Sequence, residues 1–180
     1  MKKYKLKDIM STSLYFLAVL IITFLVIKYV GQRTEVIGRS MEPTLSDGDN
    51  LIVDKFSYLF RDPERFEIIV FPYRDRPNVY YIKRVVGLPG EIVYIDPKGK
   101  VYVNDELIVE DYIKDYSIDQ GLAAVPITLG EDEYFVLGDN RNNSIDSRST
   151  QVGIVHRDEI MGRAFMRVWP ITKIKILEHG

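Results

Sequence analysis

The chain has 180 residues, 46% of them hydrophobic and 28% charged, which supplies the core of one ordinary domain and excludes a disordered protein. It contains no cysteine, so disulfides, thiolate metal sites and a cysteine nucleophile are excluded. Its formal charge is -2; four lysines crowd the first seven residues, and residues 8 to 180 carry 20 of the 24 basic side chains against all 26 acidic ones, so no nucleic-acid partner is expected.

The first predicted element is "IMSTSLYFLAVLIITFLVI", Ile9 to Ile27, in which only Ser11, Thr12, Ser13 and Thr23 are polar. As a helix it would be about 28 Å long at about 1.5 Å per residue, enough to span a bilayer core. A helix packed in a soluble core would show a polar face, and Leu14 to Ile27 shows none. A cleaved signal peptide would end at a small-x-small site, which "VIKYVGQRTEV" does not offer. The expectation is a retained transmembrane helix at 9–28, a cytoplasmic tail at 1–8 carrying Lys2, Lys3, Lys5 and Lys7, and an extracytoplasmic domain at 29–180. Lys28, at the end of the helix, and Arg33, just beyond it, pull against that orientation.

After Arg33 the texture changes. The runs "NLIVDKF", "EIIVFPY", "VYYIKRVVG", "EIVYI", "KVYVN" and "YFVLG" are rich in Val, Ile, Tyr and Phe and are separated by Gly, Pro, Asp and Asn. They read as strands and turns, with no later helix of comparable length, and the fold class expected is mostly β: an antiparallel β domain behind a single N-terminal helix. The stretch "DYIKDYSIDQGLAAVPITLGED" has no period and reads as a long excursion over the surface.

Three stretches carry chemistry. In "GRSMEPTL", residues 38 to 45, Ser40 lies in a turn between glycine and proline about ten residues beyond the apolar segment. A serine nucleophile needs a base, and there are two histidines. His179 is penultimate, and His156 in "VGIVHRDEIMG" reads more readily as a surface residue at a strand end than as part of a Ser-His-Asp site. In "VYYIKRVVG" the strand period places Tyr81, Lys83 and Val85 on one face and Tyr80, Ile82, Arg84 and Val86 on the other. Apolar neighbours would disfavour the charged form of Lys83, and a neutral amine can accept a serine proton; the alternative is a lysine that snorkels to water. Arg84, on the opposite face, is expected to pair with an acid.

The third stretch, "YFVLGDNRNNSIDSR", runs from a strand into a polar loop. A calcium loop counted from Asp139 would put Ser144 where glycine is needed and Thr150 where glutamate is needed, so that reading fails. What remains is a solvated loop, or a loop in which Ser144 orients a neutral lysine while Asp146 and Arg148 brace it.

In these three stretches, in this order behind a lysine-rich tail and an anchor, the chain resembles the bacterial type I signal peptidases, membrane-anchored serine proteases with a Ser-Lys dyad. The resemblance implies Ser40 as nucleophile, Lys83 as general base, Ser144 as the hydroxyl orienting the lysine, and Asp146 and Arg148 as support. It implies no metal and no cofactor, secretory precursor proteins and membrane lipid as partners, and cleavage just outside the cell membrane. Members hold the substrate as an extended strand, with small residues before the cut filling two shallow apolar pockets, and Met41 is expected near one of them. Many members carry a serine two residues before the nucleophile where this chain has Gly38, as relatives from Gram-positive bacteria often do. The developing oxyanion is then left with the Ser40 N–H, and a serine at 38 is expected to be tolerated better than a valine. Phe66-Glu67 stands where many relatives have Gly-Asp, which leaves the turn before Ile68 open. The alternatives are a Ser-Lys protease with a dedicated substrate, such as a pilin-processing or self-cleaving protein, and a non-catalytic anchored assembly factor.

Overall fold

The computed structural model describes residues 2–29, 32–74 and 79–177, with side chains described from Asp8 to Phe24 within the N-terminal helix. That helix, α1, runs Lys2–Tyr29. Its described side chains are all exposed. Among the described residues no helix is long and apolar enough to cross a membrane. The segment expected to span at 9–28 is met as a helix.

The strands follow in chain order: β1 Gln32–Glu35, β2 Asn50–Asp54, β3 Ile68–Pro72, β4 Tyr80–Gly87, β5 Ile92–Ile95, β6 Val101–Val103, β7 Glu106–Leu107, β8 Ile127–Thr128, β9 Glu133–Leu137, β10 Val155–His156, β11 Gly162–Trp169 and β12 Lys175–Ile176. Among the described residues they form an eight-stranded sheet in the order β1-β2-β11-β3-β4-β9-β10, with β12 beside β11, and a four-stranded sheet in the order β7-β6-β5-β8. Neighbouring strands are antiparallel throughout. The chain is thus mostly antiparallel β with one N-terminal helix, as expected, and the six β-rich runs coincide with β2 to β6 and β9.

The expected excursion at 111–132 corrects in part. It contains β8, a 3-10 turn at Gly121–Ala124 and the buried residues Ser117, Ala123 and Leu129, so it closes the core of the small sheet instead of lying wholly outside. The turn before Ile68 does form. Phe66 sits at φ 69°, the left-handed region that costs a side chain about 1 kcal/mol or more. Its ring packs on Tyr112 at 5.7 Å between centroids, its N–H donates to the Val85 carbonyl at 2.8 Å, and its carbonyl accepts from Arg84 Nη1 at 2.8 Å. These contacts offset the strain.

Candidate active site

The site begins with the turn after β1. Gly38, at φ 93°, donates its N–H to Asp47 Oδ1 at 2.7 Å, and the Leu45 N–H donates to the Met41 carbonyl at 2.9 Å. Met41 and Leu45 are 1% and 0% exposed, packed with Val36, Leu51 and Ile82. The turn is plugged into the core from inside, and Ser40 is left half-buried at its outer edge. Met41, expected near one of two shallow apolar pockets, is buried in the core beneath the turn. Apolar burial outweighs display at that position.

β4 brings the lysine. Lys83 is 2% exposed, and its Nζ donates to Ser40 Oγ at 2.8 Å and to the Ile82 carbonyl at 3.0 Å, with the Tyr81 ring centroid 5.1 Å away. Both hydrogen-bond partners are neutral. Burial therefore dominates and drives the amine down to about 8 from its ordinary 10.5, while the carboxylates of Asp146 and Asp139 act in the opposite direction. On the other face Arg84 donates from Nε to Asp139 Oδ1 at 2.9 Å and from Nη2 to Oδ2 at 2.6 Å, the acid pairing its position called for. Asp139 also accepts from the Thr44 hydroxyl, so one buried carboxylate ties β4 to the serine turn.

The loop after β9 closes the site. Its Asn140 N–H donates to the Ser40 carbonyl at 3.0 Å, and Asn140 Nδ2 donates to the Arg39 carbonyl at 3.0 Å. Asp146, fully buried, accepts from the Gly138 N–H at 3.0 Å and from Arg148 Nε and Nη2 at 2.8 and 3.0 Å. Ser144 Oγ is buried and has no hydrogen-bond partner among the described residues. It does not bond Lys83 directly, but it converges with the Ser40 carbonyl on Gly138. A Cβ at 138 would fall inside contact distance of Ser144 Oγ and 2.6 Å from the Ser40 oxygen.

Ser40, Lys83, Ser144, Asp146 and Arg148 thus converge in one place, with Gly38 on the open side of the turn. His156 is exposed on β10, with its N–H on Glu159 at 2.9 Å, and His179 lies outside the described residues. Sequence reasoning missed Gly138, Asp139, Asn140 and Thr44. The signal for Gly138 was present: a glycine that ends an apolar strand often marks a close approach of backbone. Among the described residues Lys83 has no ion pair, and a buried amine on a hydroxyl is the arrangement needed to deprotonate it.

The chain is similar to known proteins over most of its length. A family model described as signal peptidase, peptidase S26, matches residues 9–169. Signal peptidase I of Leptolyngbya laminosa is 42% identical over 156 residues, covering 81% of this chain and 72% of its own. Signal peptidase I P of Bacillus subtilis subsp. natto is 32% identical over 181 residues, covering 97% and 96%. A crystal structure of a signal peptidase I from Enterococcus faecalis covers 57% of this chain and 97% of that one, at 32% identity and a TM-score of 0.46. The family match runs through the serine turn, the lysine strand and the closing loop alike, and on that extent the chain belongs to the signal peptidase family, peptidase S26.

Proposed function

We propose that this chain is a membrane-bound serine endopeptidase that removes N-terminal signal peptides from secreted precursors after small-x-small sites, with Ser40 as nucleophile and Lys83 as general base. The observation that carries the proposal is the 2.8 Å contact between Ser40 Oγ and a 2% exposed Lys83 amine whose hydrogen-bond partners are neutral. Neutral Lys83 takes the serine proton, Oγ attacks the scissile carbonyl, and the Ser40 N–H faces the developing oxyanion on the side that Gly38 leaves open. The ammonium then returns its proton to the leaving amine, and the same lysine activates the water that releases the acyl group. Once Nζ leaves Oγ it needs another partner, and the unpartnered hydroxyl of Ser144 is the group we assign to receive it. Asp146 and Arg148 brace the loop that carries Ser144. Met41 supports the substrate side of the turn from beneath.

The anchor belongs to the same proposal. A helix of 28 residues is about 42 Å long at about 1.5 Å per residue, and its apolar side chains from Ile9 to Ile22 are exposed. Residues 1–8 would lie in the cytoplasm, 9–28 in the membrane and 29–180 outside. The few residues between Tyr29 and Ser40 then keep the nucleophile near the bilayer, where a signal peptide emerges.

The test is incubation of the full-length protein in detergent with one secretory precursor, followed by mass measurement of the products. A cut after a small-x-small site, lost in Ser40→Ala and Lys83→Ala and kept in His156→Ala, is expected. A dead His156 variant beside an active Lys83 variant would overturn the dyad. Extraction of the protein from membranes by carbonate alone would overturn the anchor.

A further inference from the structure

We propose that Glu110 and Tyr112 are positioning residues for catalysis: the segment after β7, at the edge of the small sheet, supplies the carboxylate that fixes the loop closing the active site. The proposal rests on the Ser-Lys reading of the site above and adds to it a pair of residues that touch none of the reacting atoms.

The starting point is a charge count. The loop from Gly138 to Arg148 carries two carboxylates, Asp139 and Asp146, and two guanidiniums, Arg141 and Arg148. Asp146 pairs with Arg148, and Asp139 is taken by Arg84 of β4. Arg141, 4% exposed, is left without an acid from its own loop. A buried guanidinium with no counter-charge is costly, so the missing carboxylate must come from elsewhere. It comes from Glu110, whose side chain is fully buried and whose two oxygens accept from Arg141 Nη1 at 3.0 Å and from Nη2. Two residues on, the Tyr112 hydroxyl donates to Glu110 Oε1 at 2.8 Å, and its ring lies 4.1 Å from the Arg84 guanidinium. One short segment therefore grips both the arginine of the loop and the arginine next to Lys83.

Arg141 passes that grip to the site. Its Nε donates to the Gly138 carbonyl at 3.0 Å, and its own carbonyl accepts from Arg148 Nη2 at 2.7 Å. Gly138 is the residue pressed against Ser144 and the Ser40 carbonyl. Releasing Arg141 should let the loop lift from the turn and admit water to Lys83. The groups facing that amine are the Ser40 hydroxyl, the Ile82 carbonyl, the Tyr81 ring and, at longer range, the carboxylates of Asp139 and Asp146. Burial is the largest influence on it, so hydration moves its titration toward higher pH.

The test is steady-state cleavage of one precursor peptide with a small-x-small junction by the full-length protein in detergent, across neutral to alkaline pH. Wild type, Glu110→Ala, Glu110→Gln, Tyr112→Phe and Ser40→Ala are compared at equal folded concentration. Glu110→Ala should lose about 10- to 100-fold in kcat at neutral pH with KM within about twofold, because misplacement of the loop affects the chemical step and not binding. The alkaline rise of its rate should move to higher pH, so that part of the loss is recovered there. Glu110→Gln and Tyr112→Phe should move the same way by less, and they decide the matter if the alanine variant does not fold. Wild-type rates in all folded variants, or a loss equal at every pH, would overturn the positioning role and leave the dyad standing. Cleavage by Ser40→Ala at the wild-type rate would overturn the dyad itself, and the positioning role with it.

Discussion

Glu67 and Lys83 are both buried against the large sheet, at 0% and 2% exposure, and the chain treats them in opposite ways. Glu67 accepts from Arg61, from the Glu64 N–H at 2.9 Å, from the Tyr58 hydroxyl at 2.8 Å and from Arg163. Burial alone would raise its carboxyl, but the hydrogen bonds from Arg61, the Glu64 N–H and Tyr58 outweigh it and hold the group below the usual carboxylate range. Lys83 receives only a hydroxyl and a carbonyl, and its charge is pushed off. Both side chains are shut off from solvent. What differs is whether the surroundings supply counter-charge, and that difference separates a structural ion cluster from a reactive amine.

The sharpest way to break this comparison is to remove the amine or its serine. Ser40→Ala or Lys83→Ala should lower precursor cleavage on the order of 10³-fold or more, whereas Glu67→Gln should leave the rate per folded molecule unchanged. Steady-state cleavage at equal folded concentration decides it. Gly138→Ala should follow, at on the order of 10²-fold in kcat, since the added carbon displaces Ser144 or the Ser40 carbonyl.

Stability should sort the two charges the other way. Glu67→Ala removes the buried carboxylate on which Arg61, Tyr58 and the Glu64 N–H converge and should cost about 3 kcal/mol in urea unfolding. Lys83→Met should instead stabilise the inactive protein by about 2 kcal/mol at neutral pH, because it removes an amine that is disfavoured in its charged form. Both groups titrate lower in the folded state than in the unfolded one, so stability rises with pH at both sites, in different windows. The unfolded lysine holds its proton up to 10.5 and the folded one only to about 8, so its contribution to stability rises with pH between those values, and activity rises through about 8 as the amine becomes neutral. The contribution of Glu67 is present above the ordinary carboxylate value of 4.5 and is lost as pH falls below it toward the lowered folded value. A flat activity profile from acid to alkaline pH, or a Lys83→Met protein weaker than wild type, would remove the contrast.

The smallest effect is expected at Gly38. Nothing lies within 4 Å of a Cβ there, so crowding is not the obstacle, but φ 93° strains any side chain. Gly38→Ser should cost about 1 kcal/mol in unfolding with turnover within a few-fold of wild type. Gly38→Val should lose more, both to strain and to its bulk beside the substrate backbone. Equal rates for the two would place position 38 away from the oxyanion side.

Much of this was written locally in the chain. The period of two along "VYYIKRVVG" sent Lys83 and Arg84 to opposite faces, and β-rich runs between turn residues marked β2 to β6 and β9. Ser40 lay in a turn because Gly38 and Pro43 bracket it. Tertiary structure alone decided the rest. β11 lies between β2 and β3, yet Arg163 and Arg167 interrupt its apolar pattern; they are satisfied by Asp54 and Asp49, 109 and 118 residues earlier. Met41 turned inward because Val36, Leu51 and Ile82 meet there from three parts of the chain. Glu110 became the missing counter-charge of Arg141 across 31 residues of sequence. Strand period and turn chemistry are properties of neighbouring residues and can be read along the chain, whereas the partner of a buried charge is chosen by the packing of segments that sequence order does not bring together.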